Sequence, residues 1–122
     1  MSAPLVLAVD DDPDMLDLEE SALARAGYRV ARAENGVQAL ERITAEMPAV
    51  VLLDMRMPLM DGWAFARALR EKYGRRIPIV VITAAEDSKL RADEIGAEAA
   101  VGKPLELRDL LEAVVDIAGP VT

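Results

Sequence analysis

The sequence predicts a doubly wound α/β fold, in which a parallel sheet lies between two layers of helices. Short apolar runs alternate with helical patterns five times along the 122 residues. One of these runs, residues 50–53, has no polar side chain, which is typical of a strand buried on both faces. That run ends in Asp54 and a loop, and ligands bind at this carboxyl end of strands in open α/β sheets. Together these observations predict right-handed crossovers and helices on both faces of the sheet.

Turn and cap residues divide the chain into its elements. Asp12-Pro13 predicts a helix N-cap followed by the first helical residue, and Gly27 and Gly96 predict helix ends. We predict a single domain over residues 1–122. Its strands are predicted at about 4–10, 28–33, 49–54, 77–83 and 98–102, and its helices at about 13–26, 36–46, 63–73, 87–96 and 105–118.

The composition excludes several kinds of chemistry and of partner. A net charge of -8 argues against generic binding of nucleic acids or anionic membranes by this chain. The absence of cysteine and histidine excludes disulfides, thiolate chemistry and imidazole catalysis, so carboxylates, hydroxyls, lysine and arginine must supply any chemistry. We see no membrane-spanning run and no secretory signal, and we therefore expect a cytoplasmic location.

Strand order decides which of the acids meet. Two strand orders are common for such a fold. The one that we predict, the order 2-1-3-4-5 of flavodoxin-like folds, places strands one and three side by side, so that Asp10, Asp11 and Asp54 would meet at one edge. Two carboxylates about 5 Å apart repel by roughly 3 kcal/mol at an effective dielectric constant of about 20. A hard divalent cation relieves this repulsion, and Mg²⁺ suits a site of one or two carboxylates, waters and phosphate oxygens. The acids therefore predict a magnesium site.

The remaining strand ends complete a site for a phosphoryl group. Strand four ends in Thr83 and strand five in Lys103, so that a hydroxyl and a cation lie near Asp54. A metal and a lysine stabilise a phosphoryl group during transfer, and a carboxylate can form an acyl phosphate as nucleophile. Taken singly, Thr83 is an ordinary strand end, Lys103 a solvated lysine and Asp54 a turn residue. The prediction depends on their combination.

Four motifs, in this order, make the sequence resemble response regulator receiver domains, the chemotaxis-regulator-like phosphoacceptor domains of two-component signalling. The motifs are Val9-Asp10-Asp11-Asp12-Pro13, Leu53-Asp54-Met55-Arg56-Met57-Pro58-Leu59-Met60-Asp61-Gly62, Ile82-Thr83-Ala84 and Lys103-Pro104. The resemblance covers the whole chain.

The resemblance implies a metal-ligand set for Mg²⁺. Asp54 is the implied phosphoacceptor and also a ligand. Asp11 is expected to bind the metal directly, and Asp10 largely through a metal-bound water. The backbone carbonyl of Arg56 is the implied third protein ligand.

The resemblance also implies how the phosphoryl group is held. Thr83 is expected to move and hydrogen-bond it, Ala84 to leave room for it, and Lys103 to pair with one of its oxygens. The bond between Lys103 and Pro104 is expected to be cis.

The implied function is a phosphorylation-dependent signalling switch and not an enzyme, since phosphotransfer and autodephosphorylation act on the domain itself. The implied phosphodonor is a histidine kinase or a histidine phosphotransfer protein. The output is a separate target or a C-terminal effector domain, with homodimerisation through helix four, strand five and helix five as a further expectation. Two alternatives are a Mg²⁺-dependent phosphohydrolase, which Arg56 disfavours by occupying the place of a second acid, and an unphosphorylated scaffold.

Three positions depart from the family pattern or lie outside it. Ala100 occupies the place of a frequent aromatic switch residue, so we expect signalling through backbone shifts over residues 84–89. We predict an inner stripe on helix one of Met15, Leu18, Ala22, Leu23 and Ala26, with Leu16 outside the stripe and available to dock a kinase. Trp63 is expected to pack near the mouth of the pocket.

Overall fold

Ten regular elements alternate along the chain in the computed structural model, which describes residues 3–55 and 62–121. Each begins and ends within two residues of its predicted bounds, and a short 3₁₀ turn, Ala85–Asp87, precedes the fourth helix. The strands are β1 (Leu5–Val9), β2 (Arg29–Ala33), β3 (Val50–Asp54), β4 (Ile79–Ala84) and β5 (Ala99–Lys103). The helices are α1 (Pro13–Arg25), α2 (Gly36–Ala45), α3 (Gly62–Tyr73), α4 (Ser88–Ile95) and α5 (Leu107–Ala118).

The five strands are parallel and lie in the order β2-β1-β3-β4-β5, which confirms the predicted topology. The register aligns the carboxyl ends of the strands that carry the predicted site. Val9 pairs with Leu53, so the residues that follow them, Asp10 and Asp54, are neighbours at the sheet edge. On the other side of β3, Ala84 at the end of β4 pairs with Lys103 at the end of β5, so these two strand ends are also aligned.

Two apolar layers cover the two faces of the sheet and hold this register. Alternate side chains of β3 enter opposite layers, and all five of its residues are buried. The layer under α2, α3 and α4 includes Val51, Phe65 and Leu69. The layer under α1 and α5 includes Leu52 and Leu110. Burial on both faces is the reason that the sequence of this strand is continuously apolar rather than alternating.

Helix α1 begins where the sequence predicts it. The side chain of Asp12 accepts a hydrogen bond from the backbone N–H of Asp14 (3.0 Å), as an N-cap does. The end of α4 at Gly96 is also as predicted, since this glycine has a φ of 67° in the left-handed region. Asp87 precedes α4 but makes no side-chain cap hydrogen bond among the described residues.

The prediction for the inner face of α1 was right for Leu23 but wrong for Leu16 and Leu18. The buried residues are Leu16, Glu19 and Leu23, whereas the side chain of Leu18 is 41% exposed. The predicted stripe used apolar residues alone, and it left out Glu19 because glutamate is rarely buried. Leu16 is 1% exposed and therefore cannot dock a partner as the sequence suggested. Of the other residues predicted to face inward, Met15 and Ala22 are half-buried and Ala26 is exposed.

Glu19 is an acid enclosed by the core. Its side chain is 1% exposed, and neither carboxyl oxygen has a hydrogen-bond partner among the described residues. Burial, and to a smaller extent the negative charges of Asp10 and Asp54, raises the pKa of Glu19 to about 8. Glu19 is therefore mainly neutral at pH 7.

Substitution of Leu16 is expected to lower stability. Leu16→Ala should reduce the free energy of unfolding by about 2–5 kcal/mol, since it empties a buried site. Leu18→Ala, on the exposed side of the same helix, should change it by no more than about 0.5 kcal/mol. Urea denaturation of both variants measures the difference. Equal losses would contradict the assigned orientation of α1.

The buried carboxyl of Glu19 should make stability depend on pH. Unfolding returns the pKa of Glu19 from about 8 to about 4.5. At pH values between these two, the folded chain holds the proton and unfolding releases it. The free energy of unfolding should therefore fall as the pH rises from about 5 to about 8, with a slope of at most about 1.4 kcal/mol per pH unit from this group.

Chemical denaturation in a chelating buffer across this pH range measures the slope. Glu19→Gln should flatten the curve, because an amide does not titrate. Glu41→Gln, on an exposed position of α2, is the matched control and should leave the slope unchanged. A Glu19→Gln curve as steep as that of the wild type would show that the carboxyl is already ionised in the folded state.

Candidate metal and phosphoryl site

Three carboxylates meet at the carboxyl edge of the sheet, as the sequence predicts. Asp10 and Asp11 follow β1, and Asp54 is the last residue of β3. One oxygen from each carboxylate lies within 4.8 Å of the others. Asp10 and Asp54 are buried, whereas Asp11 is exposed to solvent. The cluster is therefore open on the side of Asp11 and closed on the side of the core.

The environment of Asp10 opposes its ionisation. Burial raises the pKa of Asp10 to about 7, and the negative charge of Asp54 adds to the rise. The backbone N–H of Asp12 donates a hydrogen bond to Asp10 Oδ1 (2.9 Å) and offsets part of this effect. Oδ2 is buried with no hydrogen-bond partner among the described residues. A buried carboxylate oxygen without a donor is suited to a cation or to a water bound to one.

The residues present fit a hard divalent cation. The cluster supplies oxygen donors only, and it leaves an exposed face at which water ligands can complete an octahedral shell. Mg²⁺ is bound in this way, with few carboxylates and several waters. The predicted backbone ligand, the carbonyl of Arg56, lies outside the described residues and stays a prediction.

A lysine lies against the central carboxylate. Nζ of Lys103, at the end of β5, is 3.3 Å from Asp54 Oδ2. The Asp54 side chain is 6% exposed and that of Lys103 is 38% exposed. The buried carboxylate is therefore paired with a lysine side chain that is partly exposed to solvent. The peptide bond between Lys103 and Pro104 is cis, as the resemblance implies.

A pocket of about 390 Å³ opens beside Asp54 and contains the predicted phosphoryl-binding residues. Thr83 and Ala84, both half-buried at the end of β4, line it together with Lys103. The neighbouring strand end therefore provides a hydroxyl and a small side chain, as the motif Ile82-Thr83-Ala84 predicts.

The same pocket has charged walls that the sequence analysis missed. Glu86 and Asp87 line it from the turn after β4, and Arg91 from α4. The position of these residues after a strand end is a weak signal, because charged residues at the start of an exposed helix are common. Their place in the lining of this pocket depends on how the turn folds, and no local sequence pattern predicts that fold.

Trp63 lines this pocket, and two polar side chains contact it. Its side chain is 37% exposed, and its Nε1–H donates a hydrogen bond to Glu94 Oε2 (2.7 Å). The guanidinium carbon of Arg91 lies 5.2 Å from the centre of the indole ring. Trp63 thus connects the start of α3 to α4.

Ala100 provides no aromatic ring near the site, as the sequence indicates. It is half-buried in β5 and packs against the core layer under α2, α3 and α4. In the described part of the chain, no helix is both long enough and apolar enough to cross a membrane.

Comparison with known proteins identifies the family. The family model of the response regulator receiver domain matches residues 6–115. The transcriptional regulatory protein PrrA of Mycobacterium tuberculosis is 35% identical over 116 residues, which are 93% of this chain and 49% of PrrA. The chain thus spans about half the length of the curated relatives it matches.

Solved structures show the same fold. A response regulator from Chloroflexus aurantiacus, described as putative, is 31% identical with a TM-score of 0.88, covering 96% of this chain and 98% of its own. The receiver domain of sensor histidine kinase PA1611 from Pseudomonas aeruginosa is 28% identical with a TM-score of 0.86, covering 97% and 99% respectively. That structure has a magnesium ion coordinated in its active-site cleft. From its fold, its clustered strand-end residues and these matches, the chain belongs to the response regulator receiver domain family of two-component signalling.

Proposed function

We propose that this domain is a phosphorylation-dependent switch in which Asp54 accepts a phosphoryl group with the assistance of Mg²⁺. One observation carries the proposal: the buried Asp54 carboxylate lies 3.3 Å from the ammonium of Lys103 and within the three-acid cluster. This arrangement supports Asp54 as a nucleophile that is itself part of the candidate metal site and also contacts a cation. Charge that accumulates on a transferring phosphoryl group is stabilised from both sides.

The transfer forms one bond and breaks one bond at phosphorus. A carboxylate oxygen of Asp54 attacks in line, and the bond from phosphorus to the donor atom breaks. With a phosphohistidine donor, the ring nitrogen leaves with the bonding electron pair and the histidine becomes neutral after proton uptake. Bound Mg²⁺ supplies charge neutralisation for the phosphoryl oxygens. Lys103 neutralises a further oxygen, and Thr83 offers a hydroxyl donor at the pocket wall.

The metal assignment is supported by the orphaned Oδ2 of Asp10 and by the oxygen-only donor set. Asp11 and Asp54 would hold the ion directly, with Asp10 acting largely through a metal-bound water. The magnesium ion in the PA1611 receiver domain supports the choice of metal.

The proposed phosphodonor is a histidine kinase or a histidine phosphotransfer protein in the cytoplasm. We propose no turnover of an external substrate, since the phosphoryl group is received and lost by the domain itself. The output is a surface change that acts on a separate target or on an effector domain elsewhere in a longer protein. The proposal also includes formation of a homodimer through α4, β5 and α5.

Small-donor phosphorylation tests the site directly. After incubation with acetyl phosphate and Mg²⁺, the intact mass of the wild type should increase by one phosphoryl group. Asp54→Asn should show no increase, because the nucleophile is lost. Asp11→Asn retains the nucleophile but should be phosphorylated at least about tenfold more slowly, because the metal is lost.

Asp116→Asn, on an exposed position of α5, is the matched control and should behave as the wild type does. A phosphoryl group found on the Asp54→Asn variant would place the acceptor elsewhere. If the wild type gains no mass and also forms no beryllofluoride complex, the unphosphorylated scaffold is favoured instead.

A further inference from the structure

Arg91 lines the Asp54 pocket while it is engaged with two residues outside the three-acid cluster. Its Nη1 is 3.0 Å from Glu94 Oε1, one turn further along α4. Its guanidinium also lies over the ring of Trp63, 5.2 Å from the ring centre. Trp63 in turn donates to the other oxygen of Glu94 (2.7 Å). Contacts among Arg91, Trp63 and Glu94 therefore link α3 to α4 beside the pocket.

A phosphoryl group on Asp54 would change the charge balance of this pocket. The acyl phosphate carries a charge of about -1.5 to -2 where the Asp54 carboxylate carried a single negative charge, next to Lys103, which already pairs with Asp54. Glu86 and Asp87 line the same pocket and would repel it. Among the described lining residues, Lys103 and Arg91 are the two that carry positive charge. The additional negative charge therefore favours movement of Arg91 toward Asp54.

The present contacts of Arg91 are of the kind that a phosphoryl group can replace. The pair with Glu94 joins two partly exposed side chains within one helix, and such pairs are weak. A guanidinium has five N–H donors arranged to bind two phosphoryl oxygens at once, and bonds to such doubly charged groups are stronger.

We propose that Arg91 is a second phosphoryl-binding cation, and that binding withdraws it from Trp63 and Glu94. The inference rests on the proposed function of Asp54. Occupation of the pocket then breaks the contacts of Arg91 with Trp63 and with Glu94. The direct Trp63–Glu94 hydrogen bond remains, so the link between α4 and the start of α3 is weakened. In this way a change at the carboxyl edge of β3 reaches the surface of α4 without an aromatic residue at position 100.

Beryllofluoride with Mg²⁺, a phosphoryl mimic, is the probe for the test. Fluorine NMR measures its affinity, and fluorescence of Trp63, the only tryptophan in the chain, reports the indole environment. Arg91→Met keeps a long apolar side chain but no charge, and it should weaken beryllofluoride binding by about tenfold or more. Mg²⁺ affinity without fluoride should stay within about twofold of wild type, since Arg91 is outside the three-acid cluster.

Lys89→Met, an exposed cation on the same helix, is the matched control and should bind beryllofluoride as the wild type does. Glu94→Gln weakens the hold on Arg91 and should bind at least as tightly as the wild type. In the wild type, saturation should change Trp63 fluorescence, and in Arg91→Met this change should be lost.

Wild-type affinity in Arg91→Met, with an unaltered fluorescence change, would overturn the role of Arg91 and leave Asp54 as acceptor. Failure of the wild type itself to bind beryllofluoride would instead overturn the proposed function.

Discussion

Close packing of carboxylates at one edge of the sheet is the constraint on which this structure depends. Asp10, Asp11 and Asp54 present oxygens within 4.8 Å of one another, and two of these side chains are buried. Repulsion of this kind opposes folding. Burial, with a smaller contribution from the charge of Asp54, raises the pKa of Asp10, and a proton on Asp10 relieves part of the repulsion. Lys103 relieves another part through its contact with Asp54. The remaining oxygens are positioned for a metal.

The apolar layers make this crowding possible. The two layers of buried side chains hold β1 against β3 and β4 against β5. The strand ends therefore cannot separate to reduce the repulsion between the carboxylates. Glu19 extends the acidic environment into the core beneath the site, where its neutral form avoids an unpaired buried charge. The scaffold thus keeps the acids close enough together to hold a cation, and a bound ion would offset the cost in stability.

Much of the fold was predictable, because its signals are local and mutually consistent. The apolar run before Asp54, the Asp12-Pro13 cap and Gly96 each indicate an element or its end. The strict alternation of strand patterns with helix patterns indicates the parallel sheet. The cluster of strand-end residues followed from the strand order. The inner face of α1 was not predictable in this way, since a buried glutamate interrupts the apolar stripe that the periodicity relies on. The charged walls of the pocket, including Arg91, depend on tertiary orientation and leave no pattern in the sequence.

Magnesium-dependent stability tests most directly the central claim that a cation offsets the repulsion of the acids. The free energy of unfolding should be measured at pH 8 in chelator and at increasing Mg²⁺ for the wild type and Asp11→Asn. The wild type should gain stability that grows with the logarithm of the Mg²⁺ concentration once the site saturates. Asp11→Asn should be the more stable protein in chelator and should gain little from Mg²⁺. A wild type that does not respond to Mg²⁺, or a variant that responds equally, would contradict the account.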